Sequence, residues 1–227
     1  MTQDLAHKRP YLLASLIAGI SFPATWLFLP LEGGLIALVW KMAGVGLLVP
    51  FALHRHHVGE FVPLAIILAF YALGDGLIEF SMVAGALAFA VGHLVAIWLY
   101  FRHRRVSPTF SQKLLAIAIF LLTPVIAYGL PPTTDEAVQV AAYSVILAAM
   151  AAMAWSSNFP RYRVGLGAVL FVISDLLIFA ELGPLANSKV SGIAIWYLYY
   201  FGVLMIAVGV AQTLVKRGHY PEGEERD

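Results

Sequence analysis

Four ionisable residues interrupt long apolar stretches of this sequence and are its first candidates for chemistry. Lys41, Asp75, His93 and Asp175 each lie within a hydrophobic run, Asp175 for example in GAVLFVISDLLIFAEL. An aspartate or lysine at the centre of a membrane helix costs roughly 2.5–3.5 kcal/mol to insert, so such residues normally face the inside of a helix bundle or a wet cavity. We therefore expect the four side chains to converge on one site.

The two aspartates suggest acid–base chemistry. If the carboxylates of Asp75 and Asp175 lie close together in surroundings of low polarity, we expect the pair to hold one proton near neutral pH. One acid and one base would then stand side by side, as general acid–base catalysis requires. The structural alternative is an ion pair between Lys41 and one aspartate that ties helices together. One lysine, however, cannot neutralise two carboxylates.

Besides the aspartates and Lys41, three polar side chains are candidates for the same site. His93, in GALAFAVGHLVAIW, is either a core histidine bonded to a neighbouring helix or a third member of the site. The string WYLYYF is typical of an aromatic belt at the membrane interface. It is equally suited to line a cleft for a lipid chain, where Tyr199 or Tyr200 would offer a hydroxyl group to the site.

Other kinds of site have no pattern in this sequence. Cysteine is absent, and the cluster of His54, His56 and His57 lacks a spaced partner motif, so we interpret it as a solvated loop and predict no metal or other cofactor. The glycine-rich, serine and zinc motifs of nucleotide-binding and hydrolytic enzymes are also missing. The basic run from Arg102 to Arg105 is best explained by membrane topology, and we expect no nucleic-acid partner.

Composition places these residues in a membrane protein. The chain of 227 residues is 61% hydrophobic and 12% charged, roughly half of the charged fraction that soluble domains usually carry. A helix needs about 20 apolar residues to cross the hydrocarbon core. The sequence predicts an all-α, polytopic bundle of eight transmembrane helices. Their predicted bounds are 11–29, 35–53, 61–80, 82–101, 113–128, 136–155, 164–181 and 190–215.

Positive residues collect in alternate loops and orient the bundle. Cytoplasmic loops retain lysine and arginine, and here these residues occur near the N-terminus, in every second loop and in the tail, as at Lys8, Arg55, Arg161 and Lys216. This predicts that both termini are cytoplasmic, as an even number of spans requires. We expect one integral membrane domain over residues 1–227, with short cytoplasmic tails at about 1–10 and 216–227. The first apolar run lacks a small-residue cleavage signature, so we interpret it as a span rather than a signal peptide.

The two aspartate motifs, LAFYALGDGLIEF and VLFVISDLLIFAE, suggest an internal duplication. They lie in the third and seventh spans, both predicted to run outwards, and put the two carboxylates roughly 8–9 Å below the outer boundary at 1.5 Å per residue. Lys41 lies at a comparable depth and His93 near the middle of the bilayer. A duplication would make the bundle two parallel four-helix repeats, related by an axis along the membrane normal.

The sequence resembles the YhhN family of membrane proteins, which includes the lysoplasmalogenases. Two departures from the family pattern are Met42, where the family often has proline, and Ala96, where it often has tyrosine; they bear on substrate choice more than on fold. The resemblance rests on Lys41, GDGL around Asp75, GALAFAVGHLV around His93, GAVLFVISDLL around Asp175 and the pair Tyr199-Tyr200, in this order.

The resemblance implies hydrolysis of the vinyl ether bond of a lysoplasmalogen, lysoplasmenylethanolamine or lysoplasmenylcholine, to a fatty aldehyde and a glycerophospho-alcohol. Asp75 and Asp175 would be the catalytic acid and base, with the order of the two roles open. Lys41 would hold the second carboxylate ionised or meet the substrate phosphate, and His93 would orient a carboxylate or a water molecule. This chemistry implies no cofactor.

Two other classes of function remain open from the residues alone. One is a small proton-coupled transporter in which Asp75 and Asp175 carry protons at the interface between two four-helix halves. The other is a structural or lipid-binding membrane protein without catalysis. In each case we expect a multi-pass protein in contact with the lipid bilayer, and a bacterial inner membrane is the best match.

Overall fold

The computed structural model describes residues 9–28, 34–53, 58–186, 188 and 191–219. Within these ranges the chain forms α-helices and no strand, which confirms the predicted all-α class. The histidine cluster His54, His56 and His57 and most of both predicted tails lie outside the described residues. The helices are α1 Arg9–Ser21, α2 Thr25–Phe28, α3 Gly34–Gly46, α4 Leu48–Leu53, α5 Val58–Leu77, α6 Met82–Arg102, α7 Phe110–Tyr128, α8 Thr134–Ser156, α9 Leu166–Glu181 and α10 Ser191–His219.

Six helical segments of the described chain are long and apolar enough to cross a membrane, which identifies a multi-pass membrane protein. Two further apolar helices are shorter, Pro10–Ala24 and Phe61–Leu77. They correspond to the first and third predicted spans, so six of the eight predicted spans reach full length. The six long segments are Gly34–Leu53, Met82–Arg102, Phe110–Tyr128, Thr134–Ser156, Arg161–Glu181 and Gly192–Arg217.

Local chemistry explains where several helices begin. At the start of α6 the Ser81 hydroxyl accepts a hydrogen bond from the backbone N–H of Ala84, at 3.3 Å. Helix α8 begins in the same way, since the Thr133 side chain accepts from the N–H of Glu136 at 3.3 Å. Such caps satisfy backbone donors that have no partner inside the helix. At the other end of the first run, Pro23 lies in a short 3₁₀ turn, Phe22–Ala24, that follows α1.

A close contact between α9 and α10 positions part of the site. A Cβ atom on Gly167 would lie 2.6 Å from the carbonyl oxygen of Gly202, and a Cβ on Gly202 would lie 2.7 Å from that of Gly167. The two backbones therefore touch at this crossing. About two helical turns nearer the aspartate end, the Ser174 hydroxyl donates to the carbonyl of Ile195 at 2.9 Å. These contacts fix the rotation of α9 against α10.

The basic end of α6 is tied to the connection between α8 and α9. Arg104 and Ser157 form an isolated antiparallel bridge, and the N–H of Asn158 donates to the carbonyl of His103 at 2.7 Å. The connection then continues into a π-helical turn, Arg161–Gly165. Two of the loops predicted to be positive, one with Arg104 and one with Arg161, thus lie at the same end of the bundle.

Candidate functional site

Asp75 lies in the last turn of α5, and its side chain is 2% exposed. The glycines on either side of it let neighbouring helices come close. A Cβ on Gly74 would lie 2.8 Å from the ring of Phe89, and a Cβ on Gly76 would lie 2.7 Å from the sulfur of Met42. The Gly-Asp-Gly sequence therefore buries this carboxylate by removing the side chains that would hold α3 and α6 away.

A tyrosine from α10 binds the Asp75 carboxylate. The Tyr199 hydroxyl donates to Oδ2 of Asp75 at 2.9 Å, and the same hydroxyl lies 3.5 Å from the backbone carbonyl of Tyr71. Both aromatic side chains are buried. Tyr199 thus has a second acceptor within reach beside the carboxylate.

Asp175 lies in the middle of α9, is 6% exposed and is bound by a tyrosine of its own. The Tyr143 hydroxyl, from α8, donates to Oδ2 of Asp175 at 2.7 Å. A hydrogen bond from a phenol satisfies part of the carboxylate without adding a charge, which lowers the cost of placing this group in an apolar helix.

His93 is fully buried in α6 and connects the surroundings of the two aspartates. Its Nδ1 atom lies 2.9 Å from the Tyr71 hydroxyl, and its Nε2 atom lies 3.1 Å from the Tyr143 hydroxyl. The two alternatives left open by the sequence are therefore both met, because the histidine bonds to neighbouring helices and stands one side chain away from Asp175.

Aromatic rings fill the region between these polar groups. The ring of Phe171 lies 5.1 Å from that of Tyr71, 5.1 Å from that of Tyr199 and 5.0 Å from that of His93, measured between centroids. Phe89 joins the cluster at 5.9 Å from Phe171. These rings form a buried aromatic cluster between the polar groups.

Three ionisable side chains surround Asp75 at longer range. Asp75 lies within electrostatic range of Asp175, of Lys41 and of Glu79. The structure thus brings together Asp75, His93 and Asp175, three of the four ionisable residues singled out in the sequence. The fourth, Lys41, lies at the edge of the group.

Lys41 makes its ion pair with Glu79 and not with an aspartate. The ammonium group lies 2.5 Å from Oε1 of Glu79, with side-chain exposures of 16% for the lysine and 51% for the glutamate. Long lysine side chains in membranes extend towards the nearest boundary, which explains why Lys41 reaches the carboxylate beyond the end of α5. The interhelical ion pair considered from the sequence therefore exists, with a different acidic partner.

Tyr200 lies on a different face of α10 from Tyr199. Its hydroxyl is 3.1 Å from the Ser15 hydroxyl, which itself donates to the carbonyl of Gly44 at 2.6 Å. Trp196 points the same way and donates to the carbonyl of Gly19 at 2.7 Å. This part of the WYLYYF string packs against α1 inside the protein rather than forming a belt at the lipid surface.

Two members of the cluster, Tyr71 and Tyr143, were not singled out in the sequence. Tyr71 precedes Asp75 by four residues and so lies on the same face of α5, a signal that the sequence does contain. Tyr143, in VAAYSV, carries no such signal, because the charged residues of α8 lie only in its first turn, at Asp135 and Glu136, and none marks the inward face near Tyr143. Glu79 was also missed as the partner of Lys41.

An apolar groove lies between α1 and α3, with a volume of about 590 Å³. Its lining includes Ile17, Leu35, Val39 and Trp40. Neither aspartate belongs to the lining. Among the described residues, no group of three or more histidine, aspartate or glutamate side chains is placed to hold a metal ion, and we assign no metal ligand.

Comparison with known proteins agrees with the resemblance seen in the sequence. No curated protein and no solved structure matches the chain significantly. The model of the YhhN family matches residues 36–210, which include every helix of the site from α3 to most of α10. The chain therefore belongs to the YhhN family.

Proposed function

We propose that this protein is a membrane-embedded hydrolase that cleaves the vinyl ether bond of lysoplasmalogens. The observation that carries the proposal is the pair of buried carboxylates, Asp75 and Asp175, each bound by a tyrosine hydroxyl and within range of the other's charge. Membership of the YhhN family is compatible with a hydrolase. The lysoplasmalogen substrate follows from the resemblance and from the fit of the site to the reaction.

The first step of the reaction needs an acid. A vinyl ether is opened by transfer of a proton from a carboxylic acid to the β-carbon, and the electron pair of the double bond forms the new C–H bond. The α-carbon and the ether oxygen then share a positive charge as an oxocarbenium ion. After the transfer both aspartates are carboxylates, and together with the faces of Phe171 and Tyr199 they surround this charge in an apolar region, where electrostatic stabilisation is strongest.

The next steps need a base and return both groups to their starting state. Water attacks the α-carbon and gives a proton to the second carboxylate, which yields a hemiacetal. The hemiacetal hydroxyl then returns a proton to the first carboxylate, while the second protonates the leaving glycerol oxygen. One water molecule is consumed, an aldehyde and an alcohol are released, and neither carboxyl group gains or loses a proton overall.

The Lys41–Glu79 pair is placed to bind the headgroup. Lys41 offers a positive charge to the phosphate and Glu79 a negative charge to an ammonium group, so the pair matches a zwitterionic headgroup. Glu79 follows Asp75 by four residues, a rise of about 6 Å along the helix. The glycerol unit, which separates the ether oxygen from the phosphate, spans a similar distance. The apolar groove between α1 and α3 offers room for the single alkenyl chain.

We further propose that the two shorter apolar helices complete a bundle of eight membrane crossings in one domain, with both termini in the cytoplasm. The bridge between Arg104 and Ser157 supports this orientation, because it joins two positive loops at one end. The carboxylates then lie nearer the outer face. Two parallel four-helix repeats and a bacterial inner membrane remain part of the proposal.

The test is release of fatty aldehyde from lysoplasmenylethanolamine and lysoplasmenylcholine by the purified protein in detergent. General acid–base groups contribute about 10²–10⁴-fold to a rate, so Asp75→Asn and Asp175→Asn should each lose at least about a hundredfold. Tyr162→Phe, at an exposed position outside the site, is the matched control. Thermal unfolding shows that each variant is folded.

Two outcomes would contradict the proposed hydrolase function and favour another one. If the folded wild type releases no aldehyde from either lipid but proton-driven uptake occurs in vesicles, the same carboxylates serve a transporter. If both asparagine variants alter the stability of the protein but keep every activity of the wild type, the protein binds lipid or has a structural role.

A further inference from the structure

Four side chains from four helices form an unbroken chain of hydrogen bonds. It runs from the Tyr71 hydroxyl to Nδ1 of His93 at 2.9 Å, from Nε2 of His93 to the Tyr143 hydroxyl at 3.1 Å, and from that hydroxyl to Oδ2 of Asp175 at 2.7 Å. Each phenol has one proton to donate, and a neutral imidazole has one N–H group. The direction of any one bond therefore sets the direction of the others.

With Asp175 ionised, every bond in the chain points towards it. The carboxylate accepts from Tyr143, whose oxygen must then accept from Nε2–H of His93. The unprotonated Nδ1 atom accepts from the Tyr71 hydroxyl. His93 is in this state the Nε2–H tautomer.

With Asp175 protonated, the same chain runs the other way. The acid donates to Tyr143, Tyr143 donates to Nε2 of His93, and Nδ1–H donates to the oxygen of Tyr71. The Tyr71 proton then needs another acceptor. The buried hydroxyl of Tyr100 lies within electrostatic range of Tyr71 and has no hydrogen-bond partner among the described residues.

Tyr100 is well placed for this task. It follows His93 by seven residues on α6, two turns further along the same face. A buried hydroxyl without a partner costs about 1–3 kcal/mol, so its presence in an apolar core calls for an explanation. Accepting from Tyr71 in one of two states supplies one.

We propose that Tyr71, His93 and Tyr143 form a reversible hydrogen-bond chain in which the tautomer of His93 follows the protonation state of Asp175. The consequence, which rests on the proposed function, is that Asp175 is the group that donates the first proton to the substrate. Asp175 keeps its hydrogen bond to Tyr143 in both states, so the proton can leave without breaking the contact that holds the carboxyl group. Tyr143 and His93 are positioning residues that act through Asp175.

The two aspartates differ in their neighbours. Lys41 and Glu79 lie within electrostatic range of Asp75, whose carboxylate accepts from the Tyr199 hydroxyl. If Asp175 is the acid, Asp75 is the group that accepts the proton from water. The groups that face Asp175 are the hydroxyl of Tyr143 and, within electrostatic range, those of Tyr71 and Tyr199 together with the carboxylate of Asp75. None of these is a cation.

The direct test is nitrogen NMR of the full-length protein, labelled with ¹⁵N-histidine, in detergent micelles without substrate. The His93 signals are assigned from the spectrum of His93→Gln. As the pH rises, we expect the N–H of His93 to move from Nδ1 to Nε2 while the ring stays neutral. In Asp175→Asn the pH dependence should disappear, and in Tyr143→Phe the tautomer should no longer respond to Asp175.

Two results, each obtained with the wild-type protein alone, would overturn the proposal whether or not the variants fold. One is a single tautomer of His93 at every pH at which the protein is folded. The other is an imidazolium ring with both nitrogens protonated. Because no substrate is present, either result leaves the proposed hydrolysis untouched, just as a lack of aldehyde release leaves the tautomer test untouched.

A kinetic measurement separates positioning from mere structure. If Tyr143 serves the acid, Tyr143→Phe should lower kcat about ten- to a hundredfold and displace the limb of the pH–rate profile that reports the acid. Tyr162→Phe should leave both unchanged. A Tyr143→Phe variant with reduced kcat but an unaltered profile would contradict the assignment of Asp175 as the acid.

Discussion

The adjacent residues Tyr199 and Tyr200 provide the sharpest test of the candidate site. Both are buried tyrosines on α10, and both make one hydrogen bond to a side chain of another helix. The hydroxyl of Tyr199 donates to the Asp75 carboxylate, and that of Tyr200 is paired with Ser15. Replacing each by phenylalanine removes the same atom from neighbouring positions.

The size of each substitution's effect depends on the hydrogen-bond partner that the tyrosine hydroxyl loses. A hydrogen bond to a charged group contributes about 1.5–3 kcal/mol, and one between neutral groups about 0.5–1.5 kcal/mol. If ionised Asp75 is needed when water attacks, Tyr199→Phe should reduce kcat/KM about ten- to a hundredfold, at 1.36 kcal/mol per factor of ten. Tyr200→Phe should cost stability only, because Ser15 keeps its bond to Gly44.

The assay is aldehyde release at a range of substrate concentrations, run beside thermal unfolding of both variants in the same detergent. We expect Tyr199→Phe to be slow and Tyr200→Phe to be active with a lower melting temperature. Equal activities for the two variants would refute the role of Asp75 in the rate-limiting steps. A larger loss of activity in Tyr200→Phe would show that the site includes the contact with α1.

Two further predictions concern helix packing and the headgroup. Gly167→Ala puts a Cβ 2.6 Å from the carbonyl of Gly202, so thermal unfolding should show a loss of about 1–3 kcal/mol in the free energy of unfolding. The control Gly59→Ala, with open space around its Cβ, should show no loss. Equal stabilities of the two variants would contradict the close crossing of α9 and α10. Glu79→Gln should lower kcat/KM for the ethanolamine substrate about two- to fivefold, since a half-exposed charge pair contributes about 0.2–1 kcal/mol. An equal loss with a substrate that lacks an ammonium group would exclude a headgroup role for Glu79.

Most of the fold could be predicted from hydrophobicity, because apolar runs of membrane length leave few alternatives to a helix. The ends were harder to place. The run predicted to begin at residue 113 starts as a helix at Phe110, where Gln112 accepts a hydrogen bond from the N–H of Thr109 at 2.9 Å. The capping residues are polar and so fall outside a run defined by apolar residues.

The proximity of the two aspartates could be predicted from the sequence, and their hydrogen bonds could not. Spacing along each run placed Asp75 and Asp175 at similar levels, and the structure brings them within range of each other's charge. The partner of each depends on how α8 and α10 are rotated about their axes. That rotation follows from packing between helices, as at Gly167 and Gly202, and a single sequence does not encode it in any one motif.

The choice of partners bears on the chemistry. From the sequence, Lys41 was a candidate to pair with one of the two aspartates, because a cation offsets the cost of burying a carboxylate. The structure instead puts tyrosines in contact with Asp75 and Asp175, and Lys41 pairs with Glu79.

A phenol and an ammonium group differ in what they allow. A lysine in direct contact would hold a carboxylate ionised through the whole reaction. A tyrosine hydroxyl can donate to a carboxylate or accept from a carboxylic acid, so the same partner serves both states. Buried carboxylates bound by tyrosines can therefore take and return a proton in place, which is the property that a two-carboxylate hydrolysis within a membrane demands.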